Sequence, residues 1–323
     1  MNFLIIGAGG IGCYYGARLQ LAGHTVSYMA RGEHLAQIQQ QGLRVSHEEI
    51  EFHEKVSAFD GTQLQQETRC ADFDLIMLAC KEGSTASVLA DLSDWLAAAN
   101  TPVLSVQNGV DNELLISDAI GEERTLGGLA VKVSGHIISP ANVQATGPAK
   151  IVFGPWQNNL EKEAAAFIFA KEVADVFEHA GIDVLLSTDI RYELWRKLLI
   201  NNGVNPLSAL TGLDTKALTT DPAFTKTVYK LMEEVAVVAA ADNVTLQKSD
   251  IDEMYALICN FDAIITSMLV DKEKGRPLEL DSICGAVLRS AATLGLETPV
   301  TALVNSLLLL ESITSKSDRR RFN

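Results

Sequence analysis

Phe3-Leu4-Ile5-Ile6-Gly7-Ala8-Gly9-Gly10-Ile11-Gly12 opens the chain and decides its fold class. Four consecutive apolar residues cut off by glycine read as a parallel strand buried on both faces. Gly7, Gly9 and Gly12 fit G-x-G-x-x-G, and the segment from Gly12 through Ala22 reads as a helix stopped by Gly23 and His24 before a β-rich run, Thr25 to Met29. In a strand, loop and helix of this kind the first glycine permits the tight turn, the second lets backbone approach a pyrophosphate, and the third lets helix pack on strand. The helix N-terminus then faces the anion. Gly7, Ala8, Gly9, Gly10, Ile11 and Gly12 are thus the expected cradle of a dinucleotide; glycines serving a plain turn are the bland alternative.

The alternation recurs downstream. Asp74 to Ala79 reads as a strand, Ser84 to Leu96 as a helix, and Pro102 to Val106 as a strand ending at Gln107-Asn108-Gly109. The pattern implies an α/β fold with a Rossmann-like doubly wound sheet. Between Arg124 and Phe153, β-prone pieces separated by Ser139-Pro140 and Thr146-Gly147-Pro148 predict antiparallel hairpins that extend this sheet. A helix near Leu160 to His179 and a strand near Ile182 to Leu186 close a first domain, residues 1–188. From Asp189 onward, Ala223 to Ala241, Ser249 to Val270 and Leu280 to Leu294 have helical periodicity, which predicts an all-α C-terminal domain, residues 189–323. A chain of 323 residues suits two domains, since single cores rarely grow past about 250 to 300 residues.

Asp and Glu number 41 against 26 Lys and Arg, so the mean surface field is negative and disfavours nucleic acid and anionic lipid as partners. The five cysteines (Cys13, Cys70, Cys80, Cys259, Cys284) show no C-x-x-C pair or metal-ligand spacing, and they read as reduced thiols with no metal site. Met1 and Asn2 lead into the apolar run without a basic leader, and no stretch approaches the ~18 apolar residues of a membrane span, so a cytoplasmic protein is expected.

NAD enzymes commonly carry Asp or Glu about 20 residues after the glycine loop, whereas NADP enzymes put a basic group there. This chain has Met29-Ala30-Arg31-Gly32. Arg31 falls where a guanidinium can bond a 2′-phosphate, and NADP is the expected cofactor; a solvated Arg is the alternative. Lys81 follows a predicted parallel strand at the carboxyl edge where ligands of such sheets sit, and is otherwise a surface lysine. Asn108 stands at the next strand end, as a ligand contact or a plain Asn-Gly turn.

The most informative stretch runs from Arg191 to Pro206, Arg-Tyr-Glu-Leu-Trp-Arg-Lys-Leu-Leu-Ile-Asn-Asn-Gly-Val-Asn-Pro. Lys197, Asn201 and Asn205 are four apart and fall nearly on one line of a helix, flanked by Leu198, Leu199, Ile200 and Val204. A lysine in an apolar setting is costly unless compensated, and its desolvation suits proton transfer. The alternative is a lysine that snorkels to solvent while the asparagines cap a kink before Pro206.

The pattern Arg-x-Glu-Leu-Trp-x-Lys-x-x-x-Asn-x-x-x-Asn-Pro-Leu resembles the signature of the ketopantoate (2-dehydropantoate) reductases. The glycine motif, Arg31, Lys81, Asn108-Gly109, Thr266-Ser267-Met268-Leu269-x-Asp271 and Gly275-Arg276-Pro277-Leu278-Glu279-Leu280-Asp281 follow in the family's order. The resemblance covers nearly the whole chain. It implies an N-terminal domain that binds NADPH and a helical domain that closes over a 2-keto acid, with reduction of ketopantoate to pantoate on the route to pantothenate and coenzyme A. Lys197 would be the proton donor, Glu279 the active-site glutamate and Ser267 the residue near the substrate carboxylate. Asn108, Asn201 and Asn205 would contact substrate or nicotinamide. At Asp214-Thr215 many relatives carry a further asparagine, and Glu279 sits in Leu-Glu-Leu-Asp where Thr-Glu-Ile-Asp is commoner. The expected partner is therefore a small 2-keto acid, with a homodimer left open. The rival readings are an NADP-dependent reductase of another small 2-keto acid and a noncatalytic NADP-binding sensor.

Overall fold

The computed structural model describes residues 1–157, 164–260 and 263–321, and its chain divides into two units, Met1–Ile190 and Arg191–Asn323. In the first unit strand β1 (Asn2–Ile6) is followed by α1 (Gly10–Leu21), β2 (Thr25–Met29), α2 (Gly32–Gln41), β3 (Leu43–Ser46), β4 (Glu51–Glu54), β5 (Ser57–Phe59) and α3 (Gly61–Glu67). Next come β6 (Leu75–Leu78), α4 (Thr85–Asp91), α5 (Ser93–Ala97), β7 (Val103–Ser105) and α6 (Asn112–Ile120). The unit continues with β8 (Thr125–Val131), β9 (Ser134–Ser139), β10 (Asn142–Thr146), β11 (Lys150–Pro155), α7 (Ala165–His179) and β12 (Asp183–Leu186).

Side chains alternate across a strand, and both faces of β1 are covered. Phe3 and Ile5 enter one apolar core with Leu75 and Met77 of β6. Leu4 and Ile6 enter the other with Ile76 and Leu78. The main sheet has the order β12-β11-β8-β7-β6-β1-β2-β5. All its pairs are parallel except β8 with β11. The chain leaves β1 toward β2 and later returns to β6 on the other side, so the strand order reverses at β1. The carboxyl ends of β1 and β6, where the order reverses, are the usual ligand position of such sheets.

The hairpins expected between Arg124 and Phe153 do not all extend this sheet. β8 and β11 do, but β9 and β10 join β3 and β4 in a separate sheet ordered β4-β3-β10-β9. The reason is α1, which packs on β1 and β2 of the main sheet and on β3, β9 and β10 of the small one. Its residues Gly12 through Leu19 are buried without interruption, as in a helix that is covered on all sides. The small sheet is the cover. Its Val45, Val143 and Ala145 belong to the same core as Tyr14, Tyr15 and Leu19 of α1.

The second unit is helical: α8 (Ile190–Thr211, whose first residue closes the first unit), α9 (Thr215–Thr220), α10 (Thr225–Val238), α11 (Lys248–Cys259), α12 (Ser267–Glu273), α13 (Ala286–Leu294) and α14 (Pro299–Arg321). The single helix expected over Ser249 to Val270 is two. α11 ends at Cys259, and the Thr266 hydroxyl accepts from the Leu269 amide to start α12, an N-cap that competes with helix continuation. The helix expected from Leu280 begins as a π turn over Asp281–Gly285. Residues 160–163 of the expected Leu160 to His179 helix lie outside the described residues. Among the described residues, no helix is long and apolar enough to cross a membrane.

Polar side chains tie the helices of this unit together. The Trp195 indole donates to the Asp242 carboxylate (2.9 Å). The buried Asn202 amide donates to the Leu231 carbonyl and the Thr301 hydroxyl. Glu234 of α10, 5% exposed, accepts the Val300 and Thr301 amides at 3.0 and 2.8 Å. A carboxylate there satisfies two orphan donors and meets the positive end of the α14 dipole. Glu234→Ala leaves both amides buried and unmet, so the unfolding free energy should fall by on the order of 3 kcal/mol; urea denaturation measures it, and a change below about 1 kcal/mol would remove this cap from the account.

Candidate functional site

The turn after β1 is shaped by three contacts. Gly7 has φ of +103°, and a Cβ there would lie 2.6 Å from the Cys80 Cα, so no other residue fits without moving the end of β6. Its amide and that of Ala8 both donate to the Met29 carbonyl (3.2 and 3.1 Å), which fastens the loop to the end of β2. Gly12 lets α1 settle on β1, since a Cβ would stand 2.8 Å from the Ile5 side chain. Gly9 is different: nothing lies within 4 Å of a Cβ built on it. It is also the N-cap of α1, with no side-chain cap and no acidic residue in the first turn. An uncapped helix start behind an open glycine fits a phosphate group.

Gly10 carries a function that the motif does not announce. A Cβ on the facing Gly135 of β9 would stand 2.6 Å from the Gly10 carbonyl carbon, so the small sheet lies directly on the loop. His34 of α2 stands beside it; its Nδ1 accepts from the Ala141 amide (3.1 Å), which puts the imidazole proton on Nε2. Burial holds this imidazole below its ordinary pKa, opposed by the Ala8 backbone.

The structure brings the other first-unit candidates to the same edge. Arg31 is exposed and stands at the N-terminal boundary of α2, with Ala30 between it and β2 and without a side-chain capping bond, and its charge acts on the Cys80 thiol, which burial pushes up to about 11. Lys81 follows Cys80 and is exposed. Asn108, half-buried, follows β7, and the residue just before it, Gln107, donates from its side-chain amide to the Cys80 carbonyl (2.9 Å). Gly7 to Gly12, Arg31, Lys81 and Asn108 thus stand at the carboxyl ends of β1, β2, β6 and β7.

In the second unit Lys197, Asn201 and Asn205 fall on one line of the continuous helix α8, which runs through Pro206 to Thr211. Lys197 and Asn201 are half-buried and Asn205 is 7% exposed, with Leu198, Leu199 and Val204 buried beside them and Ile200 half-buried. Ser267 is exposed in the first turn of α12. Glu279 is half-buried, and its carbonyl accepts from the Ser282 hydroxyl (3.2 Å) ahead of the π turn. Asp214 and Thr215 are committed elsewhere. The Asp214 carboxylate caps α9 through the Ala217 amide (2.8 Å), and the Thr215 hydroxyl accepts from the Ile264 amide (3.2 Å). Among the described residues no group of three or more His, Cys, Asp or Glu could hold a metal ion.

Glu113, in the first turn of α6, is a further group at the β7 end that the sequence does not single out. It is fully buried under Gly127 of β8, and neither carboxylate oxygen has a hydrogen bond of good geometry. Burial pushes it from 4.5 up to about 7, against the partial help of Ser105 and the Gly128 backbone.

The family described as Ketopantoate reductase PanE/ApbA matches residues 3–158, and the family described as Ketopantoate reductase PanE/ApbA C terminal matches residues 189–310. The 2-dehydropantoate 2-reductase of Mesorhizobium japonicum is 30% identical, covering 95% of this chain and 97% of its own. Among solved structures, the ternary complex of D-mandelate dehydrogenase with NADH and anilino(oxo)acetate has a TM-score of 0.86 at 26% identity, covering 97% of this chain and 99% of that one. The PanE/ApbA family ketopantoate reductase from Ralstonia eutropha has a TM-score of 0.84 at 27% identity, with 98% and 100% coverage.

Two predictions follow from the loop and from Glu113. Gly9→Ala should leave the melting temperature within about 2 °C, because the new methyl enters open space, yet weaken dinucleotide binding about tenfold or more by obstructing the phosphate. Gly10→Ala should instead lower the melting temperature, because it drives β9 off the loop; equal effects of the two on stability would refute the assignment. For Glu113, the folded carboxyl is harder to ionise than the unfolded one, so stability is lost as pH rises from about 4.5 to 7. Glu113→Gln should therefore gain stability over wild type between pH 5 and 8, by on the order of 3 kcal/mol; denaturant titrations at the two pH values that show a constant difference would exclude it.

Proposed function

As the chain belongs to the ketopantoate reductase family, we propose that this oxidoreductase uses NADPH to reduce ketopantoate (2-dehydropantoate) to pantoate, a step toward pantothenate and coenzyme A. The observation that carries the reading is the line of Lys197, Asn201 and Asn205 on one continuous, largely buried helix. Residues 1–188 are the NADP-binding domain and residues 189–323 the substrate and catalytic domain.

Gly7, Ala8, Gly9, Gly10, Ile11 and Gly12 hold the pyrophosphate through backbone, with Arg31 on the 2′-phosphate and Lys81 and Asn108 farther along the sheet edge. When bound, the nicotinamide supplies hydride to C2 of the keto acid. Lys197 stabilises the forming alkoxide and donates its proton to that oxygen. Ser267 meets the substrate carboxylate, and Asn201 and Asn205 bond the remaining polar groups of the substrate. Glu279 either anchors Lys197 or holds the substrate hydroxyl. Glu279→Gln separates these roles, since the first lowers kcat and the second raises KM.

The likeness to D-mandelate dehydrogenase and the use of Asp214 as a helix cap favour one second reading, an NADP-dependent reductase of another small 2-keto acid. A panel of kcat/KM values for ketopantoate, 2-ketoisovalerate, pyruvate and a 2-keto dicarboxylate decides between them. Ketopantoate should exceed 2-ketoisovalerate at least ~10-fold, a gap of about 1.4 kcal/mol, because a missing hydroxyl leaves buried amides unpaired. On the same panel Lys197→Ala should lose ~10²- to 10⁴-fold in kcat while NADPH still binds. Arg31→Ala should erase a preference for NADPH over NADH of roughly ten- to a hundredfold. Binding of NADPH without turnover of any keto acid would leave a cofactor-binding sensor.

A further inference from the structure

Three buried side chains connect the turn that carries Lys81 to the turn that carries Asn108. The Gln107 amide donates to the Cys80 carbonyl and to the Thr85 hydroxyl, both at 2.9 Å. Thr85 donates its one hydroxyl proton to Oδ1 of Asn112 (2.8 Å), and the Asn112 amide donates to the Asn108 carbonyl (2.9 Å). Every amide in this chain has a single allowed orientation. A flipped Gln107 would set Oε1 against the Cys80 carbonyl, and a flipped Asn112 would set Oδ1 against that of Asn108.

Thr85 is 0% exposed, Asn112 1% and Gln107 5%, so water cannot replace these bonds without opening the core. Oε1 of Gln107 has no partner, and the side-chain amide therefore rests on its donations alone, the two at 2.9 Å and a longer one to the Cys80 sulfur (3.6 Å). Asn108 and Gly109, the latter with φ of +100°, lie between the anchored Gln107 and the anchoring Asn112. None of these features follows from packing of the strands; they fix the two loops beyond the strand ends.

We infer that Thr85, Gln107 and Asn112 are positioning residues, a hydrogen-bonded relay that sets the Asn108 turn relative to Lys81 so that both meet bound NADPH. The inference rests on the reading of Lys81 and Asn108 as cofactor contacts. The relay acts through those two residues and does not itself touch the cofactor.

The test uses near-isosteric variants of the full chain. Thr85→Val keeps shape and removes the hydroxyl; Asn112→Asp keeps the acceptor for Thr85 and removes the donation to Asn108. Both should raise the NADPH dissociation constant, read by fluorescence titration, about tenfold or more while the melting temperature stays within a few degrees. Both should also speed amide hydrogen exchange at residues 108–110. Thr85→Ser, which restores the hydroxyl, should return affinity to within about threefold of wild type. NADPH affinity of Thr85→Val within twofold of wild type overturns the relay, as does a Thr85→Ser variant damaged as much as Thr85→Val, because packing would then be the cause. If Lys81→Ala and Asn108→Ala both bind NADPH as wild type does, their assignment as cofactor contacts fails. Unaltered exchange at 108–110 in Thr85→Val and Asn112→Asp overturns the relay independently of that assignment.

Discussion

Helix α1 is confined between two sheets, and the geometry of the glycine loop after β1 depends on that confinement. A helix on the outer face of a sheet keeps one polar stripe in water and can shift by small rotations. α1 has no such stripe from Gly12 to Leu19, so its first turn is held at a fixed height over the end of β1. The single charged side chain in the run, Arg18, is accommodated by the Tyr14 hydroxyl (2.8 Å), the Gly181 carbonyl (3.0 Å) and the Glu49 carboxylate. With Glu49 largely exposed, this pair contributes little by charge alone; its value lies in satisfying a guanidinium that would otherwise be buried without partners.

Much of the main sheet was legible because its signal is local. Phe3 to Ile6 and Leu75 to Leu78 are short apolar runs bounded by turn residues, the pattern that two-sided burial imposes. The small sheet escaped for the opposite reason. In β4 only Phe52 is buried among Glu51, His53 and Glu54, and β9 is half-buried at best, so neither has the apolar content that marks a strand. Their pairing partners also lie far away, β3 with β10 across nearly a hundred residues. In the helical unit the break between α11 and α12 was hidden because periodicity persists on both sides of it, and only the capping Thr266 signals the restart.

The site shows a similar division. Residues proposed to meet a ligand through a charge or a repeated spacing, such as Arg31 or Lys197 with its two asparagines, stand out in the sequence. Residues that support them do not. Gln107, Thr85 and Asn112 are ordinary polar residues until the fold sets them side by side, and Glu113 looks like a helix-surface acid until β8 covers it. Asp214 and Thr215, read as a departure from the family pattern, turn out to be occupied with capping α9 and with holding the Ile264 segment.

The pairing of β3 with β10 also orders events during synthesis. Residues 1–100 contain β1, the glycine loop, α1 and β3, yet β9 and β10, two of the three small-sheet strands that pack on α1, begin only at residue 134. A ribosome adding about 5 to 20 residues per second thus leaves that helix only partly covered for seconds. The nascent chain carries a sticky helix through this interval, and its glycine loop is not yet pressed into shape by Gly135. Maturation of the first unit is therefore a late event governed by a distant hairpin, and the half-made chain is the stage at which it is most exposed to misassociation.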